Sequence, residues 1–211
     1  MYSEIHSVKN PLAILPPEKA IKNYTLSEYL QREERAKERH EYYNGNITKL
    51  PMARGPHNII VANTTFALKT ALKTSAQKYI ALGSQQLVYL PELNFSLYPD
   101  ILVVAEKPEY WDSNEVLLIN PILVVEVLSK STKKYDRFEK FAEYKTLPSF
   151  QEYLLIDTNR PHIERRFREE PDLWRDTHFK NMETTIHLKS LQCSIEMNDI
   201  YEFINFANIA Q

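Results

Sequence analysis

The chain has 211 residues, 43% of them hydrophobic, with a formal net charge of −2 and a pI near 6.3. That length and apolar fraction suit one compact domain with its own core, and the charge excludes the basic surplus common in nucleic-acid binders, leaving room only for a local basic patch. The lone Cys193 excludes an internal disulfide and a Cys/His metal cluster; the absence of a signal-type start and of a membrane-length apolar run leads to the expectation of a cytoplasmic protein with no membrane partner.

Residues 1–24 carry Pro11, Pro16 and Pro17 with little periodicity and read as an N-terminal arm, ahead of a single domain over 25–211. Thr25 and Glu28 form a capping box, and "LSEYLQREERAKERH" then reads as a charged helix. In "EYYNGNITKL" the Asn44-Gly45 pair predicts a tight hairpin between two short strands. After Pro56 and His57, the apolar residues Ile60, Val61, Thr64, Ala67, Leu68, Ala71 and Leu72 fall at helical spacing.

"SQQLVYLPELNFSLYPDILVVAE" reads as two strands, and Ile101–Val104 is apolar at every position, as in a sheet covered on both faces. "ILVVEVL" and "EYLLIDT" repeat that pattern. Between them a helix capped by Ser131 or Thr132 and ended near Pro148 predicts a βαβ unit. From Pro161 to Ile204, short polar–apolar alternations ("HIERRF", "TTIHLK") predict added C-terminal strands and a short helix near "MNDIYEFI". The class is α/β.

Two carboxylates stand out. Glu126 interrupts an apolar strand, with Val124 and Leu128 pointing to its side, and Asp100 opens "ILVV" after Pro99. An ionised carboxylate is costly to bury unless it is paired or bound to metal, and two at neighbouring strand ends repel one another or demand a cation, for which Mg²⁺ (or Mn²⁺) is suited. Singly, each has a plainer reading: Asp100 as a turn residue, Glu126 as half of an ion pair.

On the following helix Lys133, Asp136, Arg137, Lys140 and Tyr144 share one face, with Phe138, Phe141 and Ala142 opposite. That face is either solvated, with an Asp136–Lys140 pair, or a cationic surface beside a metal site. In the second case Lys140 stabilises the attacking water or the phosphate, while Lys133 and Arg137 touch phosphates. Glu41 either adds a carboxylate to the metal shell or ends the charged helix; His57 is a cap or a phosphate contact.

The pieces "EYYNGNI", the His57 that opens the long helix, "YPDILVV", "PILVVEVLSKST", "YDRFEKFAEY" and "EYLLID" resemble the Uma family of restriction-endonuclease-like proteins, which belongs with the PD-(D/E)xK nucleases. The likeness covers roughly residues 25–160 and is specific from "VVEVLS" through "YD…K…Y" to "EYLLID". The resemblance implies a restriction-endonuclease-like mixed central sheet flanked by helices and a Mg²⁺-dependent endonuclease acting on nucleic acid, DNA by preference. Asp100 and Glu126 become the acids of the two half-motifs, with Glu41 matching an upstream glutamate of the metal shell and Asp136, Tyr144 and Ser129 in support. A homodimer follows too, since two strands need two cuts.

One departure is plain. The lysine of ExK falls at position 128, where this chain has Leu128, and the family pattern offers Lys140 as the replacement. Two other readings compete: an inactive nucleic-acid-binding or assembly module of the same fold, and a glycoside hydrolase using paired carboxylates, against which the cationic helix face argues.

Overall fold

The computed structural model describes residues 23–208; the arm expected over residues 1–24 lies, apart from its last two residues, outside the described residues. The capping box forms as expected, Thr25 Oγ1 accepting from the Glu28 N–H and Glu28 reaching back to the Thr25 N–H at 2.8 Å. Helix α1 (Leu26–Glu33) is shorter than the charged run that begins with it. Beyond Glu33 only Ala36 is apolar before Glu41, so no burial sustains further turns. Glu33 instead folds back to accept from the His40 N–H at 2.9 Å.

Strands β1 (His40–Tyr43) and β2 (Asn46–Lys49) pair antiparallel around Asn44-Gly45, both with positive φ (43° and 101°), as the dipeptide predicts. The long helix α2 (Gly55–Leu72) buries Ile60, Thr64, Ala67 and Leu68. Next come β3 (Tyr79–Gly83), β4 (Leu87–Leu90), β5 (Phe95–Leu97) and β6 (Ile101–Ala105). Where two strands are expected across residues 84–106, three form: Pro91–Asn94 is a turn, closed by Asn94 in a left-handed conformation (φ 55°). The preceding β3 carries a short apolar run, residues 79–82, outside the expected strands; it is a half-exposed edge strand paired, among the described residues, with β6 alone.

After the two-residue β7 (Leu117–Leu118) comes β8 (Leu123–Leu128), buried at every position. The helix expected after it is two short ones, α3 (Lys133–Arg137) and α4 (Glu139–Tyr144), broken at Phe138 (φ −119°, ψ −66°). Thr132 stands at the N-cap without a capping hydrogen bond from its side chain; the Ser129 hydroxyl accepts from the Thr132 N–H instead. The chain closes with β9 (Glu152–Asp157), β10 (Ile163–Glu170), β11 (Leu173–Phe179), the hairpin β12 (Thr185–Leu188) and β13 (Cys193–Glu196), and α5 (Met197–Ile200).

The central sheet has the order β11-β10-β9-β8-β6-β3, with β8 and β9 parallel and the other neighbours antiparallel. Alternation sorts its side chains onto two covered faces. Ile101, Val103, Val125, Val127, Leu154 and Ile156 pack with α2, the β12–β13 hairpin and α5. Leu102, Val104, Val124, Leu128, Tyr153 and Leu155 pack with α4 and a second sheet, β2-β1-β5-β4-β7. The chain passes from the second sheet to the central one through Tyr98-Pro99-Asp100, so the two sheets meet where Asp100 stands.

Candidate active site

Glu126 belongs to the face shared by Val124 and Leu128, as the strand period requires, and is 4% exposed. The β6–β8 register pairs Ile101 with Val125, so one further step sets Asp100 opposite Glu126. Asp100 Oδ2 accepts from the Val127 N–H at 2.8 Å and lies 3.1 Å from His57 Nε2. The first turn of α2 thus presents His57 to an acid rather than to open solvent. Burial lowers the His57 pKa, and the Asp100 carboxylate, by hydrogen bond and charge, more than reverses this, leaving it raised.

The polar face of α3 and α4 turns inward, which overturns the solvated reading. Asp136, Lys140 and Tyr144 are buried, while Phe138 is 60% exposed and Ala142 is exposed as well. The break at Phe138 allows this, since it lets α4 rotate relative to α3. Phe141 alone of the expected apolar face packs inside, stacked on Tyr153 and edge-on to Trp174.

Lys140 does not pair with Asp136 along the helix. Its Nζ lies 2.9 Å from Glu126 Oε1 and 3.2 Å from Glu41 Oε1, and it donates to the Tyr98 carbonyl at 3.2 Å. Helix α4, β8 and the hairpin strand β1 therefore converge on one ammonium. Leu128, at the usual lysine position, is buried in the apolar cluster with Tyr144 and Tyr153. The cation that meets Glu126 comes from the helix, not from the strand.

Electrostatics follow from the count of charges. Burial pushes the Glu126 carboxyl well up; Lys140 opposes this, and Asp100 and Asp136 add to it. Burial alone would lower Lys140, but Glu126 and Glu41 outweigh it and hold the ammonium protonated far above its usual range. Asp136 is raised to about 6, by burial first. Glu126, Glu41 and Asp136 thus act on one buried lysine while Asp100 acts on Glu126, so acidic groups outnumber the cation, and a further cation would favour their ionised forms.

A hard divalent ion fits the donor set. Among the described residues, Glu126 Oε1 takes the hydrogen bonds from Lys140 and Tyr144, and Asp100 Oδ2 those from His57 and Val127, so each acid keeps its other oxygen for a metal. Glu41 is more occupied. Oε1 accepts from the Tyr98 N–H and Lys140, and Oε2 from Tyr43 Oη at 2.6 Å.

The other expected residues sort differently. Arg137 is bound to Glu164 (2.7 Å) and close to Asp157 (4.0 Å), so its guanidinium is already engaged; Lys133 is exposed. Tyr144 donates to Glu126 Oε1 at 3.3 Å, and Ser129 shapes the start of α3.

A chain of groups behind Glu41 escaped the sequence reading. Tyr43 Oη lies 2.9 Å from Tyr135 Oη, which donates to Glu143 Oε2 at 2.7 Å, and burial raises Glu143 to about 7. Tyr43 had one legible signal: it stands two residues after Glu41, on the same face of β1.

A family model described as "Uma2: Putative restriction endonuclease" matches residues 26–198. The uncharacterised protein sll1609 of Synechocystis sp. is 38% identical over 133 residues, covering 63% of this chain and 74% of that one. A second uncharacterised Synechocystis protein, slr1290, is 29% identical over 201 residues, covering 95% and 98%. A crystal structure described as a "putative nuclease belonging to DUF820" from Anabaena variabilis superposes with a TM-score of 0.68 at 18% identity, covering 86% of this chain and 99% of that one. At that identity the likeness shows the fold: the restriction-endonuclease-like mixed sheet expected from the sequence.

Proposed function

From the premise that the chain belongs to the Uma2 family, we propose that it is a Mg²⁺- or Mn²⁺-dependent endonuclease hydrolysing phosphodiester bonds, with DNA as substrate. The observation that carries this reading is the buried Lys140 ammonium, 2.9 Å from Glu126, the residue that strand register sets opposite Asp100. Asp100 and Glu126 would hold the metal. Bound there, a divalent ion supplies Lewis-acid stabilisation of a phosphoryl oxygen and lowers the pKa of water.

The rest falls to the chain's own residues. Lys140 is kept protonated, so it serves as a fixed positive charge facing the scissile phosphate and not as a proton acceptor. Glu41, with both oxygens hydrogen-bonded, anchors Lys140 first and can join the metal shell only through a remaining lone pair. His57 orients Asp100. Lys133, exposed on α3, is free to meet backbone phosphates. Two copies acting together make the two cuts of a duplex, and the setting is the cytoplasm. Among the described residues no helix is long and apolar enough to cross a membrane.

The competing module without catalysis draws on the same observation, because a lysine 4% exposed has limited access to substrate. Incubation of plasmid DNA and of RNA with Mg²⁺ or Mn²⁺ separates the two. Cleavage by the wild type and none by a folded Glu126→Gln variant is expected. Equal cleavage by both, with contamination excluded, sinks the proposal, and absence of both cleavage and stoichiometric metal binding favours the module.

A further inference from the structure

The transverse row that begins at Asp100 and Glu126 runs on across the central sheet. Glu126 stands beside Leu155, Leu155 beside Glu164, and Glu164 beside His178. His162, two residues before Glu164, faces the same way. One ligand atom from each of His162, Glu164 and His178 lies within 4.8 Å of the others. His162 Nε2 is 3.1 Å from His178 Nδ1, and His162 Nδ1 is 3.9 Å from Glu164 Oε1. The two rings stack with centroids 5.3 Å apart and planes 15° off parallel.

This group is built rather than incidental. His162 and Glu164 are buried, while His178 on the edge strand opens to solvent. The backbone of His162 is fixed on both sides: its N–H donates to Tyr201 Oη at 3.2 Å, and its carbonyl accepts from the same hydroxyl at 3.0 Å and from the Asp157 N–H at 3.0 Å.

We propose that His162, Glu164 and His178 form a second metal site, for a transition-metal ion of the zinc type, distinct from the Asp100–Glu126 centre. Two imidazoles and one carboxylate suit Zn²⁺, Cu²⁺ or Ni²⁺ and not Mg²⁺, and three protein ligands leave a position for water. Arg137, donating to Glu164 Oε1 at 2.8 Å, is the outer partner that orients a ligating carboxylate. Arg160 lies 3.1 Å from His162 Nδ1, but its side chain is 62% exposed and can swing into water. Burial and Arg160 lower the His162 pKa, which favours the neutral ring a metal needs.

Glu164 is two strands from Glu126, about 10 Å at ordinary strand spacing. Paired catalytic ions sit about 3.5–4 Å apart, so the second ion is no partner in the cleavage step. It is a clamp: it fastens edge strand β11 to the entry of β10 and, through Glu164 and Arg137, to α3.

The test uses the full chain with Zn²⁺ as probe, in competition with a chromophoric chelator, and Cu²⁺ for electron paramagnetic resonance. One Zn²⁺ per chain is expected in the wild type and in Glu126→Gln. His178→Ala, a change at an exposed position whose fold circular dichroism checks, should weaken Zn²⁺ binding by at least about tenfold, the lower end of what losing even an outer-shell partner does. Cu²⁺ should show two nitrogen ligands in the wild type and one in His178→Ala. No Zn²⁺ bound to the wild type overturns the proposal. So does unchanged affinity in His178→Ala, or loss of the ion in Glu126→Gln, which would place it at the acidic centre.

Discussion

Replacing Lys140 by methionine tests the centre most sharply, because the unbranched apolar stem is kept while the terminal ammonium, with its charge and hydrogen bonds, is removed. At 2.9 Å and 3.2 Å, and an effective dielectric constant of about 20, its attractions to Glu126 and Glu41 amount to roughly 6 and 5 kcal/mol before the cost of desolvation. Desolvation cancels much of this, and losing one partner of a buried pair typically costs about 3–5 kcal/mol because the other charge is left uncompensated. We expect Lys140→Met to destabilise the protein by an amount in that range, read by urea unfolding. Adding Glu41→Gln should recover a good part, since one of the stranded charges is then gone. Cleavage should not recover in the double variant: losing a preorganised stabilising group costs about 10²–10³ in turnover, and the second substitution restores no positive charge. The reasoning fails if Lys140→Met costs less than about 1 kcal/mol, the level of an exposed pair, or if the double variant regains cleavage.

Other consequences follow from the same geometry. Asp136 and Glu143 rise from ordinary values of 3.8 and 4.5 to about 6 and about 7, so within that window the folded protein holds more protons than the unfolded chain. Their contribution to stability therefore falls as pH rises through it; without divalent ions Tm should drop from mildly acidic to neutral pH, and Glu143→Gln should flatten the slope, an unchanged slope counting against the assignment. His57→Ala leaves Asp100 Oδ2 with only the Val127 N–H and should weaken Mn²⁺ affinity about 10–100-fold in a metal titration of cleavage; equal affinity would remove His57 from the site. Gly45→Ala forces a side chain into a left-handed turn (φ +101°) against Asn23, and should cost more than about 1 kcal/mol in urea unfolding, whereas a neutral result would mean the hairpin relaxes freely.

Local chemistry made much of this protein readable in one dimension. The capping box at Thr25, the Asn44-Gly45 turn, the largely apolar strands around Val103, Val125 and Leu154, and the pair Asp100 and Glu126 all rest on interactions within a few residues or on strand alternation, which a sequence displays directly. The edge strand Tyr79–Gly83 did not show, although residues 79–82 are all apolar, because so short a run, with no alternation, does not by itself distinguish a strand from a helix end or a loop. The helix break at Phe138 did not show either; no proline or glycine marks it, and it follows from burying Asp136 and Lys140 while Phe138 faces solvent. That a polar helix face turns inward is a decision about partners. Only the fold brings Glu41 from the hairpin, Glu126 from the sheet and Lys140 from the helix to within hydrogen-bonding distance, and only that meeting makes burial of the charged face affordable. Glu164 and His178 likewise become neighbours through strand register, fourteen positions apart in the chain. The sequence by itself determined which acids lie on buried strands; the tertiary structure decided which cation answers them, since a charge is tolerated in a core only where a distant opposite charge arrives to meet it.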